Sequence, residues 1–117
     1  MDDAILDFLK EKVNSFIKWD LIRFFHDNPH TKDTAENIAR YTGRELATVA
    51  YELDDLVEVG VLDAETIANH RVYTLVEEEQ TRHLINQFME ACHDRQFRVE
   101  AINQVIKRMQ FSPRHDF

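Results

Sequence analysis

Side chains that could carry out catalysis are few in this 117-residue chain. Ser15 and Ser112 are candidate nucleophiles, but neither comes with a base that the sequence identifies. The chain contains no glycine-rich phosphate loop, no paired-histidine metalloprotease motif and no nucleophile elbow. Its single cysteine, Cys92, has no partner for an internal disulfide and does not by itself make a structural zinc site. We therefore predict that the chain is not an enzyme.

The composition indicates a small, mainly helical protein. Hydrophobic residues make up 44% of the chain, which is enough for one compact core, so we predict a single domain over residues 1–117. Two glycines and two prolines leave little sequence for linkers. The acidic start and the lack of an apolar run of about 18 residues favour neither a secretory signal nor a membrane span, and we expect a cytoplasmic protein with no membrane partner.

Apolar residues at helical spacing predict three helices in the first part of the chain. The first stripe predicts an N-terminal helix over residues 1–17. A second helix is predicted over Trp19–His26, because a turn-forming Asn-Pro pair follows it. The capping-box spacing of Asp33 and Glu36 predicts a short helix that begins near Thr34. The first stripe consists of Ile5, Leu6, Leu9, Val13, Phe16 and Ile17.

A further helix and a β-hairpin are predicted in the middle of the chain. Helical spacing recurs from Glu45 to Gly60, where glycine suits a helix end. Two β-rich segments follow, Val61–Leu62 and Arg71–Val76, and the turn-compatible Ala68–His70 lies between them. Buried positions are predicted along these helices, where apolar residues can close a three-helix core. They are Ile38, Leu46, Val49, Leu53 and Leu56.

The C-terminal part is predicted as one long helix over residues 77–109, because it contains neither glycine nor proline. A break near His93–Gln96, where polar residues cluster, is the alternative, and it would give two shorter helices that fold back. Residues 110–117 are predicted as a tail. The predicted fold class is therefore mostly α with a small β-hairpin.

This order of elements resembles a winged helix-turn-helix domain. Ile38–Gly43 resembles its second helix and turn, Thr48–Leu53 its recognition helix, and Leu56–Leu62 the passage into the wing. The spacing is similar to that of ArsR-type and MarR-type transcriptional regulators. The resemblance implies a winged helix-turn-helix over residues 19–76 with flanking N- and C-terminal helices. It also implies a dimeric regulator that binds double-stranded DNA.

The resemblance also assigns candidate DNA contacts. In such families the third helix enters the major groove and the wing reaches the neighbouring backbone. The groove-facing residues by position are Arg44, Ala47, Thr48 and Tyr51, and the wing residues are His70 and Arg71. Candidate phosphate contacts are Lys32, Arg40, Arg44 and Arg71.

The third helix departs from the family in its charge. Residues 45–60 contain no Lys or Arg and carry five acids, within a chain of net charge −8. These acids are Glu45, Glu52, Asp54, Asp55 and Glu58. Since cationic side chains supply much of the affinity for phosphate, two functions stay open. One is a DNA-binding regulator, and the other is a noncatalytic winged-helix protein-interaction module whose acidic third helix binds a protein partner.

A metal site is a further property of the family. Some ArsR-type repressors bind metal on the last helix through acid and histidine pairs, and residues of these types surround His83 and His93 here. Thr81 and Gln96, however, stand where such a site would use a carboxylate or an imidazole. We therefore predict no metal and no cofactor. The residues of the right types are Glu79, His83, Glu90, Cys92, His93 and Asp94.

The segments outside the winged unit predict a homodimer. Residues 1–17 and 77–109 both carry apolar stripes, which a soluble monomer would rarely leave in water. We expect these stripes to pack across a twofold axis. The predicted interface residues are Ile5, Leu9, Val13, Phe88, Val99, Ile102 and Ile106.

Overall fold

The computed structural model of the protein describes residues 2–110, and its first two helices are separated by a short turn. Helix α1 spans Asp3–Lys12 and α2 spans Phe16–Asp27. The hydroxyl of Ser15 caps α2 by accepting a hydrogen bond from the Lys18 amide, while Ser15 itself has extended backbone angles. The prediction of one helix over residues 1–17 is therefore wrong, since a side chain that caps a new helix interrupts it.

Two helices follow in a helix-turn-helix arrangement, α3 over Ala35–Thr42 and α4 over Leu46–Glu58. The Thr34 hydroxyl caps α3 by accepting from the Asn37 amide, so α3 begins just after the predicted start. Asp33 does not form the predicted capping box; its carboxylate accepts from the Thr34 amide and from the Asn37 side chain. Gly43, with φ of +70°, ends α3 in the left-handed region that glycine tolerates best.

A three-stranded antiparallel sheet packs beside these helices. Strand β1 spans Lys32–Thr34, β2 spans Leu62–Ile67 and β3 spans His70–Leu75, in the order β1-β3-β2. Ala68 and Asn69 join β2 to β3 with φ of 50° and 67°, which is the left-handed geometry of a tight hairpin turn. The predicted hairpin is confirmed. Strand β1 was not predicted, because three residues are too few to show an alternating pattern.

Two helices complete the described chain, α5 over Glu79–Ala91 and α6 over Arg95–Gln110. The continuous helix predicted over residues 77–109 is wrong, and the alternative with a break is correct. The Asp94 carboxylate accepts from the Phe97 amide at the start of α6, and the Arg98 guanidinium donates to the Cys92 carbonyl at the end of α5. Of the predicted tail, residues 111–117 lie outside the described range, as does Ser112.

One hydrophobic core joins all six helices to the sheet within residues 2–110. Phe88 of α5 lies at its aromatic centre, with ring centroids of Phe8, Trp19 and Phe97 at 5.9, 5.2 and 6.1 Å. Four of the five predicted core positions of the winged unit are fully buried, but Leu46 is 46% exposed at the first position of α4. The mostly α fold class with a small β-hairpin is confirmed. None of the helices in this range is long and apolar enough to cross a membrane.

Candidate nucleic-acid interface

Helix α4 has a buried and an exposed face. Val49, Leu53 and Leu56 are fully buried against the core. Ala47, Tyr51, Asp54 and Glu58 recur at helical spacing on the opposite side, and all four are exposed. Three of the predicted groove residues thus lie at the N-terminal end of the exposed side: Arg44 in the turn before α4, and Ala47 and Tyr51 within it. Thr48 is half-buried beside them.

One acid of α4 is buried inside the molecule. The Glu52 side chain is only 4% exposed and lies 2.9 Å from the ammonium of Lys18, which is 3% exposed. The second carboxylate oxygen of Glu52 accepts from the Ser15 hydroxyl at 2.7 Å. Since a buried charge is costly unless it is paired and hydrogen-bonded, this pair fixes the rotation of α4 against α2. Glu52 therefore does not contribute to the exposed face.

Two more acids of α4 bind cations of the same chain. The Asp55 carboxylate lies 3.1 Å from the ammonium of Lys18. Asp54 lies 3.0 Å from the Nε atom of Arg71 and accepts from the Tyr73 hydroxyl at 2.6 Å. Glu45, at the start of α4, accepts from the Thr48 hydroxyl at 2.7 Å. Most of the acids that make α4 appear acidic in the sequence are therefore engaged within the fold.

The wing contacts α4 through Arg71 and Tyr73 of β3. The Arg71 Nε atom also donates to the Tyr73 hydroxyl at 3.1 Å, and the guanidinium carbon lies 5.3 Å from the centre of the Tyr73 ring. Burial, and then the hydrogen bond to Asp54, raise the pKa of the Tyr73 hydroxyl above its ordinary value. His70 is exposed at the start of β3, directly after the hairpin turn.

The remaining predicted phosphate contacts also lie on the surface. The Arg44 guanidinium binds the carboxylate of Asp20 in α2, with its Nε atom at 3.0 Å. Lys32 of β1 lies 2.5 Å from the carboxylate of Glu65 in β2. Arg40 is exposed near the end of α3. Arg44 precedes α4 by two residues, and Arg71 contacts the helix at Asp54, about 12 Å along its axis from the first residue, Leu46.

The predicted dimer residues separate into two groups. Ile5, Leu9, Val13 and Phe88 are at most 8% exposed because they pack within the chain's own core. These four residues are therefore shielded from water without a second subunit, and their assignment to a dimer interface is wrong. Helix α6 buries a different face, Ala101 and Val105, and leaves three apolar residues outside. We call these the α6 stripe: Val99, Ile102 and Ile106, which are 49%, 37% and 40% exposed.

The candidate metal ligands are spread over two elements. His83 is exposed on α5, whereas His93 lies in the turn beyond the end of α5, 4.0 Å from the Glu90 carboxylate. Burial raises the pKa of the Cys92 thiol to about 11, so the thiolate that binds metals is scarce at neutral pH. Within residues 2–110, no three His, Cys, Asp or Glu side chains lie close enough together to hold a metal ion.

Comparison with known proteins shows the fold. No family model matches the chain, and no curated protein matches its sequence. One similar solved structure is that of a possible transcriptional regulator from Methanosarcina mazei Go1, with a TM-score of 0.55 and 13% identity. The match covers 84% of this chain and 85% of that one. At this identity the likeness shows a shared fold, and it does not extend to the ArsR or MarR type.

Proposed function

We propose that the protein is a winged-helix, DNA-binding transcriptional regulator that acts as a homodimer. The observation that carries this proposal is the division of α4 into two faces. Glu52 and Asp55 turn toward Lys18 of α2, while Arg44, Ala47 and Tyr51 stand exposed at the N-terminal end. In a winged helix-turn-helix this end of the third helix meets the base edges.

Side chains at this end of α4 can form the hydrogen bonds by which proteins bind the bases and phosphates of a DNA duplex. A guanidinium such as that of Arg44 can bind guanine or phosphate with two hydrogen bonds, and the hydroxyls of Thr48 and Tyr51 can contact either bases or backbone. Arg71 and His70 are placed at the wing, where the neighbouring phosphates would lie. The four acids of α4 and its N-cap Glu45 favour the alternative, a protein-interaction module. Three of these acids, however, contact cations of the chain itself and are less available to a protein partner.

The test is binding to a random-sequence DNA duplex, followed by fluorescence anisotropy at salt concentrations from about 50 to about 200 mM. We expect Arg44→Ala and Arg71→Ala to weaken binding, and each should lower the salt slope by at most about 0.9, the value for a cation that fully neutralises one phosphate. Lys10→Ala is the matched control, because Lys10 is an exposed cation on α1. A wild-type protein that binds no duplex at low salt would overturn the regulator proposal, and unchanged slopes would remove both arginines from the interface.

The α6 stripe is the proposed contact with the second subunit. In a symmetric antiparallel pair of α6 helices, Ile102 would pack against Ile106 of the partner subunit. Such a pair would remove the exposed apolar side chains of both stripes from water.

Changing Ile102 and Ile106 together to aspartate should convert the dimer to a folded monomer in sedimentation equilibrium. Both side chains are exposed in the single chain, so charge at these positions should disrupt association and leave the core intact. Asn86→Asp with Gln87→Asp adds the same charge on the exposed side of α5 and should leave the dimer unchanged. A wild-type chain that is monomeric at high concentration would contradict the assembly.

A further inference from the structure

Three of the four predicted phosphate contacts already bind a carboxylate of the same chain. Arg44 binds Asp20, Lys32 binds Glu65, and Arg71 binds Asp54. The acids come from three different elements, α2, β2 and α4, and each is distant in sequence from the cation that it contacts. These three predicted phosphate contacts are therefore neutralised one by one and not by a single acidic patch. The strand register places Lys32 and Glu65 on the sheet face of Val72 and Thr74, whereas Arg71 lies on the opposite face with Tyr73.

We propose that these three cations are self-masked, so that DNA binding proceeds by exchange of their carboxylate partners for phosphates. This inference rests on the proposed function and states what limits the affinity of the protein for DNA. The masking acids are Asp20, Glu65 and Asp54, and each is at least partly open to solvent. Exposed ion pairs contribute little to stability, so a phosphate can displace the carboxylate at small cost.

The displaced carboxylate nevertheless remains close to the bound phosphate. It repels the DNA backbone and reduces the gain from the cation, and the cation displaces fewer counterions from the DNA because an acid already neutralises it. Both the affinity and the salt dependence of duplex binding are therefore lower than the number of basic residues suggests. Removal of a masking charge should increase both quantities.

The contact between Arg44 and Asp20 should have the strongest masking effect. Asp20 accepts from both the Nε and a terminal nitrogen of Arg44, and a two-point contact fixes the guanidinium in place. Its other carboxylate oxygen accepts from Arg23 at 2.9 Å, which holds the acid itself in position. Arg44 also stands directly before α4, at the end that would enter the groove. We therefore expect neutralisation of Asp20 to increase the affinity for duplex DNA more than neutralisation of Glu65 or Asp54.

The experiment uses the isosteric, uncharged variants Asp20→Asn, Glu65→Gln and Asp54→Asn, singly and together, with a random-sequence duplex. Affinity is compared at about 50 mM salt, and the salt slope is taken from about 50 to about 200 mM. We expect each to tighten binding by about threefold to tenfold, Asp20→Asn the most, and to steepen the salt slope by up to about 0.9 for each unmasked cation. Asp7→Asn, an exposed acid on α1, removes the same charge elsewhere and should change the affinity by less than about twofold. Thermal unfolding of each variant confirms that it is folded.

The possible outcomes separate the two proposals. Tighter binding by the three variants with no effect of Asp7→Asn supports masking. Equal binding by the wild type and all variants overturns masking and leaves the proposed function standing. If the wild type binds no duplex at low salt, the DNA-binding function itself fails, and the masking inference fails with it. If Asp7→Asn matches Asp20→Asn, the effect reflects net charge alone and masking is wrong.

Discussion

Replacement of Lys18 by alanine is expected to lower the free energy of unfolding by about 3–5 kcal/mol. The Lys18 ammonium lies 2.9 Å from Glu52 and 3.1 Å from Asp55, and it donates to the Asn14 side chain at 2.7 Å. Its removal would leave the carboxylate of Glu52 buried with no lysine beside it. An uncompensated buried charge is among the most destabilising changes that a single substitution can make. Chemical denaturation followed by circular dichroism measures the effect.

Two further variants show whether charge or packing is responsible. Lys10→Ala removes an exposed lysine from α1 and should change stability by no more than about 0.5 kcal/mol. The double variant Lys18→Met with Glu52→Leu removes both charges and keeps the volume, so it should recover most of the stability. A Lys18→Ala variant as stable as the wild type, or a double variant as unstable as Lys18→Ala, would contradict the ion-pair explanation.

Replacement of Phe88 by alanine is the second large effect, with an expected decrease of about 3–5 kcal/mol in the free energy of unfolding. Phe88 is fully buried, and its ring contacts those of Phe8 in α1, Trp19 in α2 and Phe97 in α6. Removal of the ring leaves a cavity where four helices meet, and the cavity adds to the reduced burial of apolar surface. The same denaturation measurement applies, with near-ultraviolet circular dichroism reporting on the packing of Trp19.

Phe16→Ala is the matched control for this cavity. Phe16 is 36% exposed and its ring lies 6.1 Å from that of Trp19, at the edge of the same aromatic group. Its removal opens to solvent, so we expect a decrease of about 1 kcal/mol, well below that of Phe88→Ala. Equal decreases in the free energy of unfolding for the two variants would contradict the cavity explanation for Phe88.

Helical periodicity allowed most of the helices to be predicted, whereas the breaks between them depended on caps that periodicity does not reveal. Ser15 and Asp94 each begin a new helix by accepting a backbone hydrogen bond. Apolar stripes continue across both breaks, so the sequence pattern alone suggested longer helices. The sequence also did not show that Val105 is buried while Val99 is exposed, because α6 is apolar on two sides and only packing decides which side is buried.

The sequence predicted the cations of the candidate site, but it did not predict the carboxylates that bind them. Ion pairs such as that of Arg44 with Asp20 join residues 24 positions apart, and no local pattern indicates them. The buried pair did leave a signal. Lys18 stands three and four residues before Leu21 and Ile22, on the buried stripe of α2, and Glu52 occupies the corresponding stripe of α4. A charged residue on an apolar stripe of each of two neighbouring helices predicts a buried ion pair.

The placement of Lys18 and Trp19 has a mechanical consequence. Lys18 bonds to α4, and the next residue, Trp19, packs on Phe88 of α5, whose ring also contacts Phe97 of α6. Because α2 is one uninterrupted helix of 12 residues, both contacts belong to one rigid element. A tilt of the C-terminal helices that keeps both contacts would therefore move α2 and α4 together.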